Sequence, residues 1–317
     1  MDTHRELRHC ARVLILAALA SCSSAPTRAH PAASTTAHVE EPRTVVLHDL
    51  CWSADGRALW FSARSFRSDR SDDSERNWSV YRYELAERVL VRVARSAVGV
   101  ACDPGGTRIA VARLAGKTRD LYLLDRDGAE LARLTQDDEE ELGTSWSADG
   151  KQLVFERRAG TEHALFLVAP GGSGPRRFSS GGNCREPSWS PDNKFIAYTV
   201  DAGDGKAQIW LVNVDGTDPR NLTHDALNDD APSWLPDGRV VYASGSRGAP
   251  TRIITMRVDG TDKRPVPGLE ADCARFSYDG SKVAYYGREP LLVIADAQGT
   301  RVDRIPFEAI AAAEAAP

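Results

Sequence analysis

The sequence predicts an all-β protein, a six-bladed β-propeller whose blades are four-stranded antiparallel sheets. One unit, an aromatic residue followed by a tight turn and a strand, recurs six times between Cys51 and Gly280. The residue that closes each turn recurs at steps of 42 to 50 residues, the usual length of a four-stranded blade. Outside its two ends the chain has no long pattern with the period of a helix. A closed ring of small sheets is therefore the expected architecture.

The turn signature is the most regular part of the repeat. Pro presets the backbone angle φ, Asp bonds its own backbone, and Gly supplies the positive φ that closes a hairpin. Each copy therefore indicates a strand, a turn and a second strand. The copies are Trp52–Gly56, Cys102–Gly106, Trp146–Gly150, Trp189–Asn193, Trp234–Gly238 and Phe276–Gly280, of which the second is degenerate.

Apolar runs rich in β-branched and aromatic residues predict the other strands of each unit. Gln152–Phe155 is typical of the second strands and Ile209–Val212 of the third, and Arg220–Thr223 is one of the predicted fourth strands. The propeller is expected to occupy residues 44–308 as one domain. Thr44–Leu47 adds one surplus outer-strand segment, so we expect one end of the chain to pair into the last blade and close the ring.

The ends of the chain predict export and a lipid anchor. Residues 1–21 carry three arginines and a short apolar run that cannot span a bilayer, as in a secretory signal peptide. Leu19-Ala20-Ser21-Cys22 resembles the bacterial lipobox, which makes Cys22 the predicted lipid attachment site; an ordinary signal with an incidental cysteine is the alternative. Residues 22–43 are then a lipidated flexible tether, and residues 309–317 a disordered tail. Ser23 favours the outer membrane.

Four cysteines lie within the predicted propeller, at or just before innermost strands: Cys51, Cys102, Cys184 and Cys273. Export allows disulfides. Cys51 with Cys102, on adjacent blades, is the most plausible pair, but spacing does not settle connectivity and buried free thiols are an equal alternative.

The signatures, the strand ends Leu134-Thr135 and Leu222-Thr223, and Asp215–Asp218 together resemble the TolB-type propeller repeat. The same repeat occurs in periplasmic TolB, in the propeller halves of prolyl-oligopeptidase-like enzymes and in many other envelope proteins, so the resemblance implies fold more than function. In TolB the propeller mouth receives the lipoprotein Pal. The resemblance therefore implies a protein-protein interaction module of the cell envelope, here without the α/β domain that precedes the propeller in TolB.

Strand order places the Asp-Gly turns on one face of the disc and the other connections on the opposite face, around the channel mouth. Residues that enter the innermost strands there, with Glu141 among them, form a partly acidic collar, which the long insertion of residues 65–78 extends. We expect this rim to bind an envelope protein or peptide, with Trp78 as an exposed anchor; an ordinary solvated face is the alternative. The candidate partner-binding residues are Asp49, Trp78, Arg185, Glu186, Asp229, Asp230, Asp272 and Arg275.

The recurring tryptophans occupy one blade position, so packing between blades is expected rather than ligand stacking. They are Trp52, Trp146, Trp189 and Trp234.

The sequence offers little support for catalysis. It has no Gly-x-Ser-x-Gly motif and no His pair at metal-ligand spacing, and the acidic run Asp137–Glu141 indicates a solvated loop, so we expect no catalytic residue, metal or cofactor. A small-ligand or cation-binding propeller, or a lyase or lactonase with paired carboxylates, are the alternatives. A formal charge of −5 argues against nucleic acid as a partner.

Overall fold

Each blade is a four-stranded antiparallel sheet made of consecutive strands. The computed structural model describes residues 43–315 except 68, 72–73, 173, 180–181, 202–205, 247–248 and 288. The predicted signal peptide, Cys22 and nearly all of the predicted tether lie outside these residues. Six such sheets follow one another along the chain, which confirms the predicted fold. The first strands of neighbouring blades contact one another around the ring and form the channel wall.

The strands are as follows. Blade 1 has β1 (Arg43–Trp52), β2 (Ala58–Arg67), β3 (Ser79–Glu84) and β4 (Val89–Arg95); blade 2 has β5 (Ala97–Cys102), β6 (Arg108–Ala115), β7 (Thr118–Asp125) and β8 (Glu130–Arg133). Blade 3 has β9 (Glu140–Trp146), β10 (Leu153–Ala159), β11 (Glu162–Val168) and β12 (Arg176–Arg177); blade 4 has β13 (Asn183–Trp189), β14 (Phe195–Asp201), β15 (Ala207–Asn213) and β16 (Arg220–Asn221). Blade 5 has β17 (Asn228–Trp234), β18 (Val240–Gly245), β19 (Arg252–Met256) and β20 (Arg264–Glu270); blade 6 has β21 (Cys273–Phe276), β22 (Lys282–Tyr286), β23 (Leu291–Asp296) and β24 (Arg301–Pro306).

Two short helices complete the described chain. A 3-10 helix, Glu75–Asn77, lies between β2 and β3, and the helix α1 (Phe307–Ala315) follows β24. Within the described ranges, no helix is long and apolar enough to cross a membrane.

The turn signature works through its serine and aspartate. In blade 1, Ser53 Oγ donates to Asp55 Oδ1 (2.7 Å) and accepts the N–H of Ala58 (2.9 Å), so one hydroxyl joins both arms of the hairpin. The same pair of bonds recurs at Ser147, Ser190 and Ser277. These bonds favour the charged carboxylate, and those from Ser277 and Ser281 lower the pKa of Asp279 to about 2.

The signature tryptophans pack between blades, as predicted. Trp52, Trp146 and Trp189 are buried, and Trp234 is half-buried. Three of the indole N–H groups also donate to a backbone carbonyl of a neighbouring blade: Trp52 to Arg275 (2.9 Å), Trp146 to Ala101 (3.3 Å) and Trp234 to Ser188 (3.1 Å). Each tryptophan therefore adds apolar burial and a directed bond at the same seam.

The prediction that one end of the chain pairs into the last blade is wrong. Thr44–Leu47 is the first half of the ten-residue β1, which pairs with β2 from Arg43↔Arg67 to Trp52↔Leu59. Because β2 is equally long, these residues find partners inside blade 1. Blade 6 is complete in the same way, with β21 to β24 in chain order.

The helix α1 covers the seam between blades 6 and 1 instead. Ile310 is fully buried in a cluster that joins Val45 and Leu47 of β1 to Ile305 of β24. Ser65 N–H donates to Glu314 Oε2 (2.8 Å), which holds the end of the helix against β2. The prediction of a disordered tail is therefore wrong for residues 309–315, because an apolar side of this Ala-rich segment packs on the ring.

A disulfide joins Cys51 and Cys102, with their Cα atoms 5.7 Å apart. It links the ends of β1 and β5, the innermost strands of blades 1 and 2. Cys184 and Cys273 are buried free thiols. The sequence left a disulfide and buried free thiols as alternatives. The first therefore applies to Cys51 and Cys102, and the second to Cys184 and Cys273.

We predict that Cys51→Ala/Cys102→Ala lowers the free energy of unfolding by up to about 4 kcal/mol, because the 51-residue separation makes the crosslinked loop long. Urea unfolding of both proteins measures the difference. A reducing agent should lower the stability of the native protein to the level of the variant and leave the variant unchanged. Equal stability of the two oxidised proteins would contradict the prediction.

Candidate functional site

The channel wall carries a β-bulge at the same place in five innermost strands, three residues before the signature position. At each bulge the pairing with the second strand skips, so the inner strand holds one extra residue. A bulge of this kind turns a side chain away from its regular direction. The residues at these positions are Asp49, Gly99, Gly143, Glu186 and Ala231.

Two of the bulges hold a carboxylate in a strained backbone conformation. Asp49 has φ of 46° and Glu186 has φ of 50°, in the left-handed region where Gly99, at 75°, sits without strain. Non-glycine residues in this region cost free energy and cluster at functional sites. Here the strain places both carboxylates on the wall of the channel.

A cavity of about 190 Å³ occupies the channel and is lined by residues of all six blades. Asp49, Glu186 and Arg275 contribute its polar groups, and the signature tryptophans its apolar wall. Its lining continues into the first turns, at Pro104, Ala148, Pro191, Pro236 and Tyr278. The cavity thus lies toward the Asp-Gly turns. The sequence predicted a site on the opposite face of the disc, so the cavity and the predicted rim are at different faces.

Tyr278 was missed in the sequence analysis as a site residue. It occupies the third position of the blade 6 signature, where other copies have Ala or Pro, and it is 50% exposed. Its hydroxyl lies 3.4 Å from the carbonyl oxygen of Cys102 in blade 2, so the ring extends across the cavity from one blade toward another. The signal that could have identified Tyr278 is an aromatic residue at a signature position where the other copies have alanine or proline.

Glu186, on the cavity wall, and Asp230, buried behind it, form a carboxyl pair. The Thr199 hydroxyl lies 3.3 Å from Glu186 Oε2 and 3.2 Å from Asp230 Oδ1, and the N–H of Ala231 donates to both carboxyls (3.0 and 3.1 Å). Burial and the charge of Glu186 raise the pKa of Asp230 well above its ordinary value. Burial opposes ionisation of Glu186, but the bond from Asp230 and the charge of Arg185 outweigh it and lower that pKa to about 2. Of the two carboxyls, Asp230 therefore keeps its proton to higher pH, and Glu186 carries the negative charge.

His48 and Asp49 form an ion pair at the bulge of blade 1. Burial lowers the pKa of His48, but the charge and hydrogen bond of Asp49 outweigh it and, with Glu186 and Glu156, raise the value to about 9. His48 is therefore protonated at neutral pH, and the negative charge of Asp49 is balanced.

One arginine lies on the polar wall and a second lies behind it. Arg275 Nη1 donates to the carbonyl of Ala231 (3.1 Å), across the seam between blades 6 and 5. Arg185 lies 4.0 Å from both Glu186 and Asp230. The wall thus carries both charge signs, and the part of the predicted acidic collar that lies here is a network of partly buried groups whose opposite charges lie close together.

Several predicted site residues are too buried to meet a partner in this conformation. Trp78 is 1% exposed and packs with Val98 and Ala112, so the prediction of an exposed anchor is wrong. Its position at the start of β3, rather than at the tip of the loop, explains the burial. Asp229 and Asp230 are 0% and 4% exposed.

Other acidic residues of the prediction lie elsewhere. Asp272 lines a separate cavity of about 340 Å³ between blades 5 and 6, together with Glu270 and Arg301. Glu141 is fully buried and paired with Arg157, so the acidic run is solvated only in its first part. In the part of the chain that the structure describes, no three His, Cys, Asp or Glu residues are grouped as metal ligands.

The repeat, the bulged channel wall and the six closed sheets agree with one known family. A family model described as the TolB beta propeller domain matches residues 51–274 and, in an overlapping match, residues 179–305. The chain belongs to the TolB β-propeller family.

The relatives of this TolB-family chain resemble it over part of their length. The Tol-Pal system protein TolB of Anaeromyxobacter dehalogenans (strain 2CP-C) is 29% identical over 134 residues, which are 42% of this chain and 31% of that protein. The chain therefore spans about a third of the length of the curated relatives it matches.

Solved structures share the fold. A protein of Agrobacterium tumefaciens, provisionally assigned as TolB, has a TM-score of 0.63 at 23% identity and covers 75% of this chain and 88% of its own. An oligogalacturonate lyase in complex with manganese has a TM-score of 0.57 at 19% identity, over 84% of this chain and 81% of its own. At these identities the likeness concerns the fold alone, so it does not decide between a binding protein and an enzyme.

We predict that His48 stabilises the fold below its unfolded pKa of 6.5 and that this contribution disappears as the pH rises through about 9. Relative to His48→Gln, the native protein should lose up to about 3 kcal/mol of unfolding free energy across this window. Urea unfolding at pH values below and above the window measures it. His224→Asn, at an exposed histidine, is the control and should keep the native pH profile. A His48→Gln profile parallel to the native one would contradict the prediction.

Proposed function

We propose that this protein is a lipid-anchored interaction module of the cell envelope and that its channel cavity receives a segment of another envelope protein. The observation that carries the proposal is the cavity itself. All six blades line it, strained backbone at Asp49 and Glu186 gives it a polar wall, and Tyr278 extends across it.

The size of the cavity favours a protein segment over a small ligand. Small-molecule pockets commonly enclose roughly 300–1,000 Å³, whereas this cavity encloses about 190 Å³. That volume suits one or two side chains of a protruding segment. The rest of such a partner would contact the turn residues around the cavity, where Pro191, Pro236 and Tyr278 supply rigid apolar surface.

The polar wall suits a segment that carries hydrogen-bonding groups. The carboxylates of Asp49 and Glu186 can accept from N–H or O–H donors, and the guanidinium of Arg275 can donate. Since the charges of the wall are compensated internally, a neutral or mixed segment fits better than a strongly basic one. Buried aromatic surface beside such groups is typical of interface residues that contribute much of the binding energy.

The relatives named TolB belong, by that name, to the Tol-Pal system. Pal, the partner that TolB receives, is therefore the first candidate for the segment that binds here. The predicted residues Asp49, Glu186 and Arg275 remain in the proposed site. Arg185 and Asp230 are proposed to support it from behind through their contacts with Glu186.

We predict that Tyr278→Ala weakens binding to the envelope partner by about tenfold or more, since it removes an exposed aromatic from the cavity. Ala148→Trp should weaken it further by filling the cavity. The matched control is Ala54→Trp, at the same signature position in blade 1, because Ala54 is exposed and does not line the cavity.

The measurement has two parts. Quantitative mass spectrometry of proteins that co-purify with the tagged native chain and the three variants identifies partners, and titration of purified Pal gives an affinity. The proposal requires one partner that is depleted by both cavity variants and retained by Ala54→Trp. A partner set that is unchanged by Tyr278→Ala and Ala148→Trp would contradict it.

The location in the envelope rests on Cys22, which lies outside the described residues. A diacylglycerol group on Cys22, with the predicted tether of residues 22–43, would hold the propeller at a membrane, and Ser23 favours the outer one. A lipid with two or more acyl chains anchors a protein durably.

We predict that Cys22→Ser abolishes labelling of the protein with radioactive palmitate and moves it from the membrane pellet to the soluble fraction after high-salt washing. Cys10→Ser, within the predicted signal peptide, is the matched control and should leave both unchanged. Palmitate labelling that persists in Cys22→Ser would show that the lipid lies elsewhere.

A further inference from the structure

Four arginines surround a third cavity, at the end of blade 1 that lies opposite the signature turns. The cavity encloses about 410 Å³. Arg43 begins β1, Arg76 belongs to the 3-10 helix, and Arg92 and Arg95 lie in the last part of β4. We call this site the arginine cavity.

Hydrogen bonds orient two of the four guanidinium groups of the arginine cavity. Arg43 donates to the hydroxyl and to the carbonyl of the buried Ser65 (3.0 Å each). Arg92 donates to the carbonyls of Ala313 and Glu314 at the end of α1 (3.2 and 2.6 Å). These contacts join β1 to β2 and β4 to α1, so the positive groups of Arg43 and Arg92 are held by four elements of the fold.

The local charge is strongly positive. Glu314 is the one acidic residue in the described lining, and its Oε2 accepts the Ser65 N–H. Burial raises the pKa of Glu314 although the Ser65 bonds and the charges of Arg43 and Arg92 oppose it. Four arginines around one acid are a clear local departure in a chain whose formal charge is −5.

The positive surface extends beyond the arginine cavity along the same end of blade 1. Arg64 lies 5.0 Å from the centroid of the Trp78 ring, and Arg70 lies 5.0 Å from that of Phe66. Arg67 ends β2 beside them, and the exposed Asp69 follows it; the side chains of Asp72, Asp73 and Glu75, in the same insertion, lie outside what the structure describes. Three further arginines thus lie at the end of blade 1 that holds the arginine cavity.

The chain enters the propeller at this surface. Arg43, which lines the arginine cavity, is the last residue of the predicted tether, and the predicted lipid attachment site lies 21 positions before it. A flexible tether of this length has a root-mean-square span of about 25 Å. A lipid on Cys22 would therefore keep this end of blade 1 close to the bilayer and at high effective concentration relative to its headgroups.

We propose that the arginine cavity binds the phosphate headgroups of anionic lipids in the membrane to which the chain is anchored. The planar guanidinium fork matches the oxygens of a phosphate in a way that a lysine does not. The proposal rests on the proposed lipid anchor for its choice of ligand, and it is independent of the partner that enters the channel cavity.

The test uses the full chain with Cys22→Ser, so that covalent lipid cannot contribute to membrane binding. Co-sedimentation with phosphatidylcholine vesicles, with and without phosphatidylglycerol, measures the affinity. The protein should bind the vesicles that contain phosphatidylglycerol, and this binding should weaken as the salt concentration rises, because salt screens the charges. Arg43→Gln/Arg76→Gln/Arg95→Gln should weaken this binding by about fivefold for each arginine, or about a hundredfold in all.

The matched control removes three positive charges from the opposite face. Arg57, Lys151 and Lys194 are exposed at the signature turns of blades 1, 3 and 4. Their replacement by Gln should leave vesicle binding nearly unchanged. Arg95→Glu is the second test variant, since this exposed side chain can be reversed in charge with little effect on the fold, and it should weaken binding as well.

Three results would overturn the proposal. The first is equal binding to vesicles with and without phosphatidylglycerol, and the second is an equal loss in the test and control variants. The third is saturable binding of inorganic phosphate in calorimetry without vesicle binding, which would assign the cavity to a soluble phosphate compound. Failure of the Pal titration would leave this result untouched, so the two proposals fail separately.

Discussion

The ring depends on contacts between sheets, because each blade takes its four strands from one consecutive stretch of chain and the described strands show no exchange between blades. Backbone ladders therefore stabilise each blade but not their arrangement. The signature tryptophans supply what the ladders do not, since each buries a large apolar surface at a seam and three of them bond a neighbouring carbonyl. The seam between blades 6 and 1 needs more, and α1 covers it with Ile310.

The repeat made the fold predictable, whereas the closure of the ring was not. A fixed period with Asp-Gly turns specifies hairpins locally, so six blades follow from counting. Closure depends instead on whether β2 is long enough to pair with all ten residues of β1. The alternation of apolar and polar residues does not show that length. The tail did carry a signal, because Phe307, Ile310 and Glu314 recur at helical spacing in an Ala-rich segment of high helix propensity.

The site was only partly predictable for a related reason. Asp49, Glu186 and Arg275 could be located because the repeat fixes their distances from the signature aromatic. In a regular strand, however, successive side chains point to opposite faces, so the distance alone does not give the direction of a side chain once a bulge is present. The bulge changes that direction, as a one-residue insertion does for every following side chain. Nothing in Asp49 or Glu186 themselves indicates a left-handed conformation. The equivalent Gly99, with φ of 75°, does, once the blades are aligned on their aromatics.

The two proposed surfaces lie at opposite ends of the same strand. β1 begins with Arg43 in the arginine cavity and ends with Trp52 in the wall of the channel cavity, and its ten residues span about 30 Å. If the arginine end rests on headgroups, the signature turns and Tyr278 point away from the bilayer. A partner can then approach the channel without displacing the membrane. Because β1 runs from the tether to the signature turn, its direction is sufficient to place the proposed membrane-binding surface and the proposed partner-binding cavity at opposite faces of the ring.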